Sequence, residues 1–261
     1  MKGIVDLARG ARLRALLTKH LSNATDVWHA YRSGSTVPPL RFRNGQVLLH
    51  GAGDAPVFLF FEIFANACYR RQLTPPQPGT TLIDVGANIG AFTLDSAARF
   101  PSLRVEAYEP NPRAFHMLEQ NIAANRLESR VRAYQEALGR SQGFADLWVG
   151  AGSIQATGYP RGSEGEGSPA RCRMVDLGVA VARAGGDVSV LKVDAEGAEA
   201  DIVEGGQDVL RSVAQVVGEY HEDHVPGVLD RCRSAFEQSG FAFTVVCDAR
   251  CGPLFHARRL D

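Results

Sequence analysis

Apolar and polar residues recur along this chain with two periods, that of strands and that of helices. Thr80 to Val85 is apolar and β-branched, which suits a buried strand, and it ends in a glycine-rich turn. Ala91 to Arg99 reads as a helix and Leu103 to Tyr108 as a second strand. Asn111-Pro112 fits an N-cap followed by proline at the first helical position, opening a helix that runs to Asn125. Val131 to Ala137 and Val188 to Val193 follow as strands, then Ala198 to Arg211 as a helix and Ala214 to Tyr220 as a fifth strand. A last helix over Gly227 to Ser239 stops at Gly240, and Phe241 to Cys247 pairs with Pro253 to Arg258. This alternation predicts a doubly covered α/β fold, a mostly parallel seven-stranded sheet with helices on both faces.

The segment before Thr80 differs. Ile4, Leu7, Ala8, Ala11 and Ala15 recur at helical spacing with arginines between them, which predicts a cap helix packed on its own domain. Arg41 to His50 reads as a hairpin turning at Asn44-Gly45, and Val57 to Arg71 as a helix. Pro75, Pro76, Pro78 and Gly79 then break regular structure, so residues 1–79 are expected to form a cap and 80–261 the main domain. Of the aromatic side chains in the cap (Trp28, Phe60, Phe64 and Tyr69 among them), most should be core and a minority should roof the crevice. Ala151 to Ala170 is rich in Gly, Ser and Pro and reads as a surface loop.

Composition narrows the function. With 45% hydrophobic and 22% charged residues the chain is an ordinary globular protein, and a net charge of -1 argues against nucleic acid as a partner. No run reaches the ~18 apolar residues of a membrane span, and arginines interrupt the apolar core that a secretory signal needs. A cytoplasmic protein with reduced thiols is expected, because the five cysteines are scattered without a CxxC pair.

The sharpest chemical signal is the turn Ile83 to Gly90, with Asp84, Gly86, Asn88 and Gly90. Glycines at a strand-to-helix turn let backbone N–H groups approach a ligand. A dinucleotide site has another glycine where Asn88 stands, and a carboxylate at Asp84 would repel a pyrophosphate while attracting an ammonium. Glu109 ends the second strand, where a carboxylate can accept both ribose hydroxyl protons, and Glu136 ends the third, within reach of an adenine edge. A nucleoside with an amino-acid tail, S-adenosylmethionine, fits these residues.

The runs IDVGANIGAFTL (Ile83 to Leu94), EPNPRAFHMLEQNIAAN (Glu109 to Asn125), LKVDAEGAEADIVEGG (Leu191 to Gly206) and EYH (Glu219 to His221) resemble the FkbM-type methyltransferase family. The resemblance implies a class I methyltransferase (Rossmann-like) fold, S-adenosylmethionine as donor, and methylation of a hydroxyl oxygen. Family acceptors include polyketide macrolides and sugars, so the implied partner is a hydroxylated small molecule.

An alcohol needs its proton removed before it attacks a sulfonium carbon, so a base or a metal is expected beside the donor. His221 is the candidate general base, with Asp194 orienting it or holding polar groups, and Glu196 in the following turn. Glu199 reads as a favourable charge in a helix's first turn and Lys192 as a buried stem with its head at the sheet end. Asp194, Glu196, Glu219 and His221 could also hold Mg²⁺, although the spacing does not require it. An NAD(P)-dependent oxidoreductase and a silent nucleoside-binding module are the competing readings.

Overall fold

The computed structural model describes residues 2–149, 156–157, 168–246, 248 and 250–260. Cys247 and most of the glycine-rich loop expected at 151–170 lie outside them. The elements of the main body, in chain order, are β3 (Thr81–Val85), α4 (Ala91–Arg99), β4 (Arg104–Tyr108), α5 (Pro112–Ala124), β5 (Val131–Tyr134), β6 (Glu136–Leu138), β7 (Gly143–Val149), β8 (Ala156–Thr157), β9 (Ser168–Val175), α6 (Leu177–Arg183), β10 (Val188–Val193), α7 (Glu199–Gly205), β11 (Val213–Glu219), α8 (Val228–Gln238), β12 (Phe241–Val246) and β13 (Leu254–Arg259). Before them stand α1 (Lys2–His20), α2 (Ala24–Ser33), β1 (Leu40–Arg41), β2 (Val47–Leu48) and α3 (Pro56–Leu59).

Seven strands form one sheet in the order β12-β13-β11-β10-β3-β4-β5. The pairs among β11, β10, β3, β4 and β5 are parallel, and β13 is antiparallel to both β11 and β12. The expected class I architecture is therefore present. Successive side chains of a strand point to opposite faces, and both faces here are buried. Leu82, Val190 and Val217 join α4, α5 and the N-terminal segment on one side. Ile83, Leu191 and Val216 join α6, α7 and α8 on the other.

Four details depart from the sequence reading. The third strand breaks after Tyr134, and β6 pairs instead with β9 in a second sheet of order β6-β9-β7-β8. In α1 the buried stripe is Leu13 and Leu17, continued by Leu21, while Ala11 and Ala15 are exposed; leucine withdraws more apolar surface than alanine, so it takes the inward face. The helix expected over 57–71 is broken into α3, a π-helical turn at Phe60–Ala65 and a 3₁₀ turn at Arg70–Gln72. Ala67, with φ of 53°, stops the helical path between the last two.

The expectation of reduced, scattered thiols is also overturned. Cys68 and Cys251 form a disulfide across a sequence separation of 183, with Cα atoms 5.3 Å apart. Spacing along the chain gave no sign of it, because the N-terminal segment and the β12–β13 loop meet only once the sheet has formed. Cys172 and Cys232 are buried free thiols. No helix among the described residues is long and apolar enough to cross a membrane.

Candidate active site

The carboxyl ends of β3, β4, β10 and β11 converge around the glycine-rich turn. Gly86 has φ of 71°, and a Cβ there would overlap the Asp194 carbonyl oxygen, so the close approach of the two strand ends requires glycine. Asn88 takes a left-handed conformation at φ 52°, which asparagine tolerates, and its Oδ1 accepts from the Ile89 N–H at 2.7 Å. Gly90, at φ 91°, begins α4 where a Cβ would strike Leu118, so it lets α4 pack against α5.

Glu109 locks this turn. One carboxylate oxygen accepts from the Asn88 N–H at 2.7 Å and the other from the Asn111 N–H at 2.8 Å. Each oxygen keeps a second lone pair for a ligand. Burial pushes the Glu109 pKa up to about 7, against the lowering effect of those two backbone bonds.

Asp84 departs from its expected role. It is fully buried on β3, accepting from the Thr93 hydroxyl at 2.6 Å and lying 3.4 Å from Lys192 Nζ. Its carboxylate is thus turned beneath the turn, not open to a ligand ammonium, because β3 runs between β4 and β10 and residue 84 is paired in register with Lys192. Lys192 is the hub. Its ammonium donates to the carbonyls of Val85 (3.1 Å) and Gly86 (2.8 Å) and lies 3.3 Å from Asp194 Oδ2. Burial opposes that charge, but Asp194 and Asp84 outweigh it and hold the Lys192 pKa above the ordinary lysine value.

His221 lies beyond the end of β11. Its Nδ1 is 2.8 Å from Glu199 Oε1, and its Nε2 is 4.0 Å from Asp194 and 3.8 Å from Glu196. Burial favours the neutral ring, yet the hydrogen bond and charge of Glu199, with Asp194 and Glu196, raise the His221 pKa to about 9. Glu199 is fully buried; its Oε1 also accepts from the Ala195 and Gly197 N–H groups at 3.1 and 3.0 Å. The helix-end role read from its sequence position is present, and the imidazole contact was missed. A Glu at the first position of a helix is ordinary, and nothing in the spacing says that a residue 22 positions later packs on it.

Tyr69, from the N-terminal segment, reaches the same place. Its hydroxyl lies 3.1 Å from Asp194 Oδ2 and 3.2 Å from Glu219 Oε2. Burial and the nearby charge of Asp194 raise the Glu219 pKa to about 7. Asp194, Glu219 and His221 offer three potential metal-ligand atoms within 4.8 Å of one another. Lys192 and the Tyr69 hydroxyl already engage the two carboxylates.

Two cavities flank this cluster. One, of about 340 Å³, runs past Gly86, Asn88, Tyr108, Glu109, Glu136 and Ala137. Within it Glu136 is engaged by Arg183 and lies 3.3 Å from Arg173, while Arg183 covers the Tyr134 ring. The second, of about 280 Å³, is walled by Phe58, Phe61, Glu62 and Phe92 and floored by Tyr69, Glu219 and His221. Gly86, Asn88, Asp194 and Glu196 border both. A wider depression of about 960 Å³ between Arg14, Trp28 and Arg32 touches none of the strand-end residues.

A seven-stranded sheet of this order, with paired cavities at its carboxyl edge, is that of a class I methyltransferase, the fold that binds S-adenosylmethionine. Comparison with known proteins agrees: the methyltransferase FkbM domain matches residues 84–243. The 31-O-demethyl-FK506 methyltransferase FkbM of Streptomyces tacrolimicus is 30% identical over 248 residues, spanning 84% of this chain and 93% of that protein. Methyltransferase 1 of Beauveria bassiana is 27% identical over 72% of this chain and 82% of its own length. Among solved structures, the precorrin-6y C5,15-methyltransferase of Geobacter metallireducens aligns at a TM-score of 0.44 and 14% identity, over 73% of this chain and 84% of that one. The chain belongs to the FkbM methyltransferase family. That membership retires the oxidoreductase reading.

Proposed function

We propose that this protein transfers a methyl group from S-adenosylmethionine to a hydroxyl of a small molecule, a sugar or polyketide-type natural product. The observation that carries the reading is the meeting of two cavities at Gly86, Asn88, Asp194 and Glu196, with a histidine on the far side of that junction. Oxygen as the methylated atom is favoured by the buried acid–base pair at the junction and by the activity in the name of the FkbM relative, a 31-O-demethyl-FK506 methyltransferase.

The cavity beside Glu109 would hold the donor, the free lone pairs of Glu109 accepting from its ribose hydroxyls and Glu136 standing toward its adenine end. The backbone of Gly86 and Asn88, with Asp84 acting from beneath through Lys192, supports the amino-acid end. Gly90 shapes the turn without touching the cavity. The acceptor enters the second cavity, and its oxygen must come to ~3 Å from the methyl carbon, opposite the sulfur.

Proton removal falls to His221. Glu199 accepts from Nδ1–H and leaves Nε2 facing Asp194, Glu196 and the acceptor cavity. With its pKa at about 9, the free ring is largely protonated at neutral pH. A positively charged donor bound in the adjoining cavity would lower the proton affinity of His221 and so favour its neutral, basic form. The acceptor proton would pass to Nε2, where the carboxylates of Glu199, Asp194 and Glu196 stabilise the imidazolium. Phe58, Phe61 and Phe92 give the acceptor cavity an apolar wall that a bound acceptor would cover, keeping water from the reacting atoms. Calorimetric titration with S-adenosylhomocysteine, then a screen of hydroxylated metabolites with a labelled methyl donor, tests the reading. Absence of binding, or label appearing only on nitrogen or carbon, would refute it.

A further inference from the structure

Tyr69 has a role that the family fold alone does not supply. It is the residue after Cys68, in the N-terminal segment, yet its hydroxyl sits between carboxylates at the ends of β10 and β11. A phenol carries one proton. Both contacts are satisfied when Asp194 accepts that proton and a protonated Glu219 donates to the phenolic oxygen. Tyr69 is buried, its ring meeting Phe92 edge-on at 5.6 Å and facing Lys192 Nζ at 5.5 Å.

What holds it there is covalent. Cys68 is bonded to Cys251, in the loop between β12 and β13. The next residue, Gly252, leaves room for the Glu219 carboxylate, whose oxygen lies 3.0 Å from where a Cβ would stand. Strand β13 pairs with β11, setting Leu254 opposite Glu219. The bond therefore ties the segment bearing Tyr69 to the hairpin that flanks the Glu219 strand. Arg71 adds an ion pair to Asp248 of the same loop.

The geometry points to Tyr69 as a positioning residue for the His221 base, clamped across Asp194 and Glu219 by the Cys68–Cys251 disulfide, so that cutting this bond releases the clamp. The inference rests on the methyltransferase reading only for the name of the reaction. The charged groups facing the imidazole are Glu199 of α7, Asp194 and Glu196 of the loop before it, and Glu219 of β11, with His224 stacked at 5.2 Å. Tyr69 governs two of them. Reduction by a small dithiol proceeds by attack of a thiolate on one cysteine sulfur, followed by intramolecular displacement. Two electrons and two protons pass from the dithiol, which leaves as a cyclic disulfide, and two cysteine thiols remain.

The test follows the His221 imidazole by NMR pH titration in oxidised and dithiol-reduced protein, with and without Tyr69→Phe. A thiol reagent should count two additional thiols after reduction. Tyr69→Phe should change the His221 proton affinity at least threefold. Reduction of the wild type should change it in the same direction and by a similar factor, and reduction of Tyr69→Phe should add nothing further. Reoxidation should restore the wild-type value. A bond that merely stabilises the fold would leave the imidazole unmoved or act additively with the substitution, and either result overturns the proposal. Calorimetry with S-adenosylhomocysteine runs alongside and should agree within twofold between the two redox states. A selective loss of binding on reduction would also overturn the clamp, whereas no binding in either state refutes the methyltransferase reading and leaves the imidazole titration to judge Tyr69.

Discussion

Replacing Glu199 by Gln removes the charge behind the imidazole while keeping an oxygen for the Ala195 and Gly197 amides. In the wild type the His221 pKa stands at about 9 against an ordinary value of 6.5, a roughly 300-fold higher proton affinity, or about 3 kcal/mol. Burial works against this, so the carboxylates supply more than the net amount, and Glu199 at 2.8 Å is the nearest. Glu199→Gln should lower the proton affinity of His221 at least tenfold, about 1.4 kcal/mol. The pH profile of methyl transfer should move toward acid by the same factor. Its plateau should also fall, because the imidazolium formed on proton transfer loses its closest counter-charge. NMR titration of the ring measures the first effect and initial rates at saturating donor the second. An unshifted imidazole would refute the argument that Glu199 sets the base, and an unshifted rate profile with a shifted imidazole would refute the role of His221.

Other expectations follow from the same geometry. His221→Ala should reduce turnover by about 10²–10⁴-fold with S-adenosylhomocysteine affinity near wild type, measured by initial rates and calorimetry. Glu109→Ala should weaken that ligand by roughly 10- to 100-fold, the loss of charge-assisted hydrogen bonds. Because burial places the Glu109 pKa at about 7 and the ribose prefers the ionised acceptor, wild-type affinity should strengthen as pH rises from 6 to 8. Glu62, raised to about 7 chiefly by burial with Asp194 adding to it, is a carboxyl whose ionisation the fold disfavours. Its stabilising contribution is complete below about pH 4.5 and lost as pH rises through 7, so Glu62→Gln should raise the melting temperature at pH 8 and leave it unchanged at pH 4. Reduction of the disulfide, which closes a loop of 183 residues' separation, should cost about 2–5 kcal/mol in denaturant unfolding.

The parallel sheet was legible because β3 and β10 are short, mostly apolar and β-branched runs bounded by turn residues, and Asn111 caps α5 with the residue type and proline that announce a helix start. His221, Asp194 and Glu196 come together as their positions after two adjacent strands suggested. What stayed hidden depends on contacts distant in sequence. Lys192 looked like one cation in an apolar strand, and its value lies in register pairing with Asp84 across β3. Asp84 read as an open carboxylate because the turn beside it is glycine-rich, whereas Lys192 and Thr93 enclose it. Tyr69 and Cys68 belong to a segment whose helical period is interrupted by a π turn, so no periodicity placed them at the strand ends.

Calorimetry of the intact protein with S-adenosylhomocysteine and with NADH decides whether the cavity beside Glu109 holds the methyl donor and adjoins a separate acceptor cavity. One site for the first ligand, weakened by Glu109→Ala, and no heat from the second are expected. Binding of NADH, or S-adenosylhomocysteine binding that ignores Glu109, would contradict that placement of the donor.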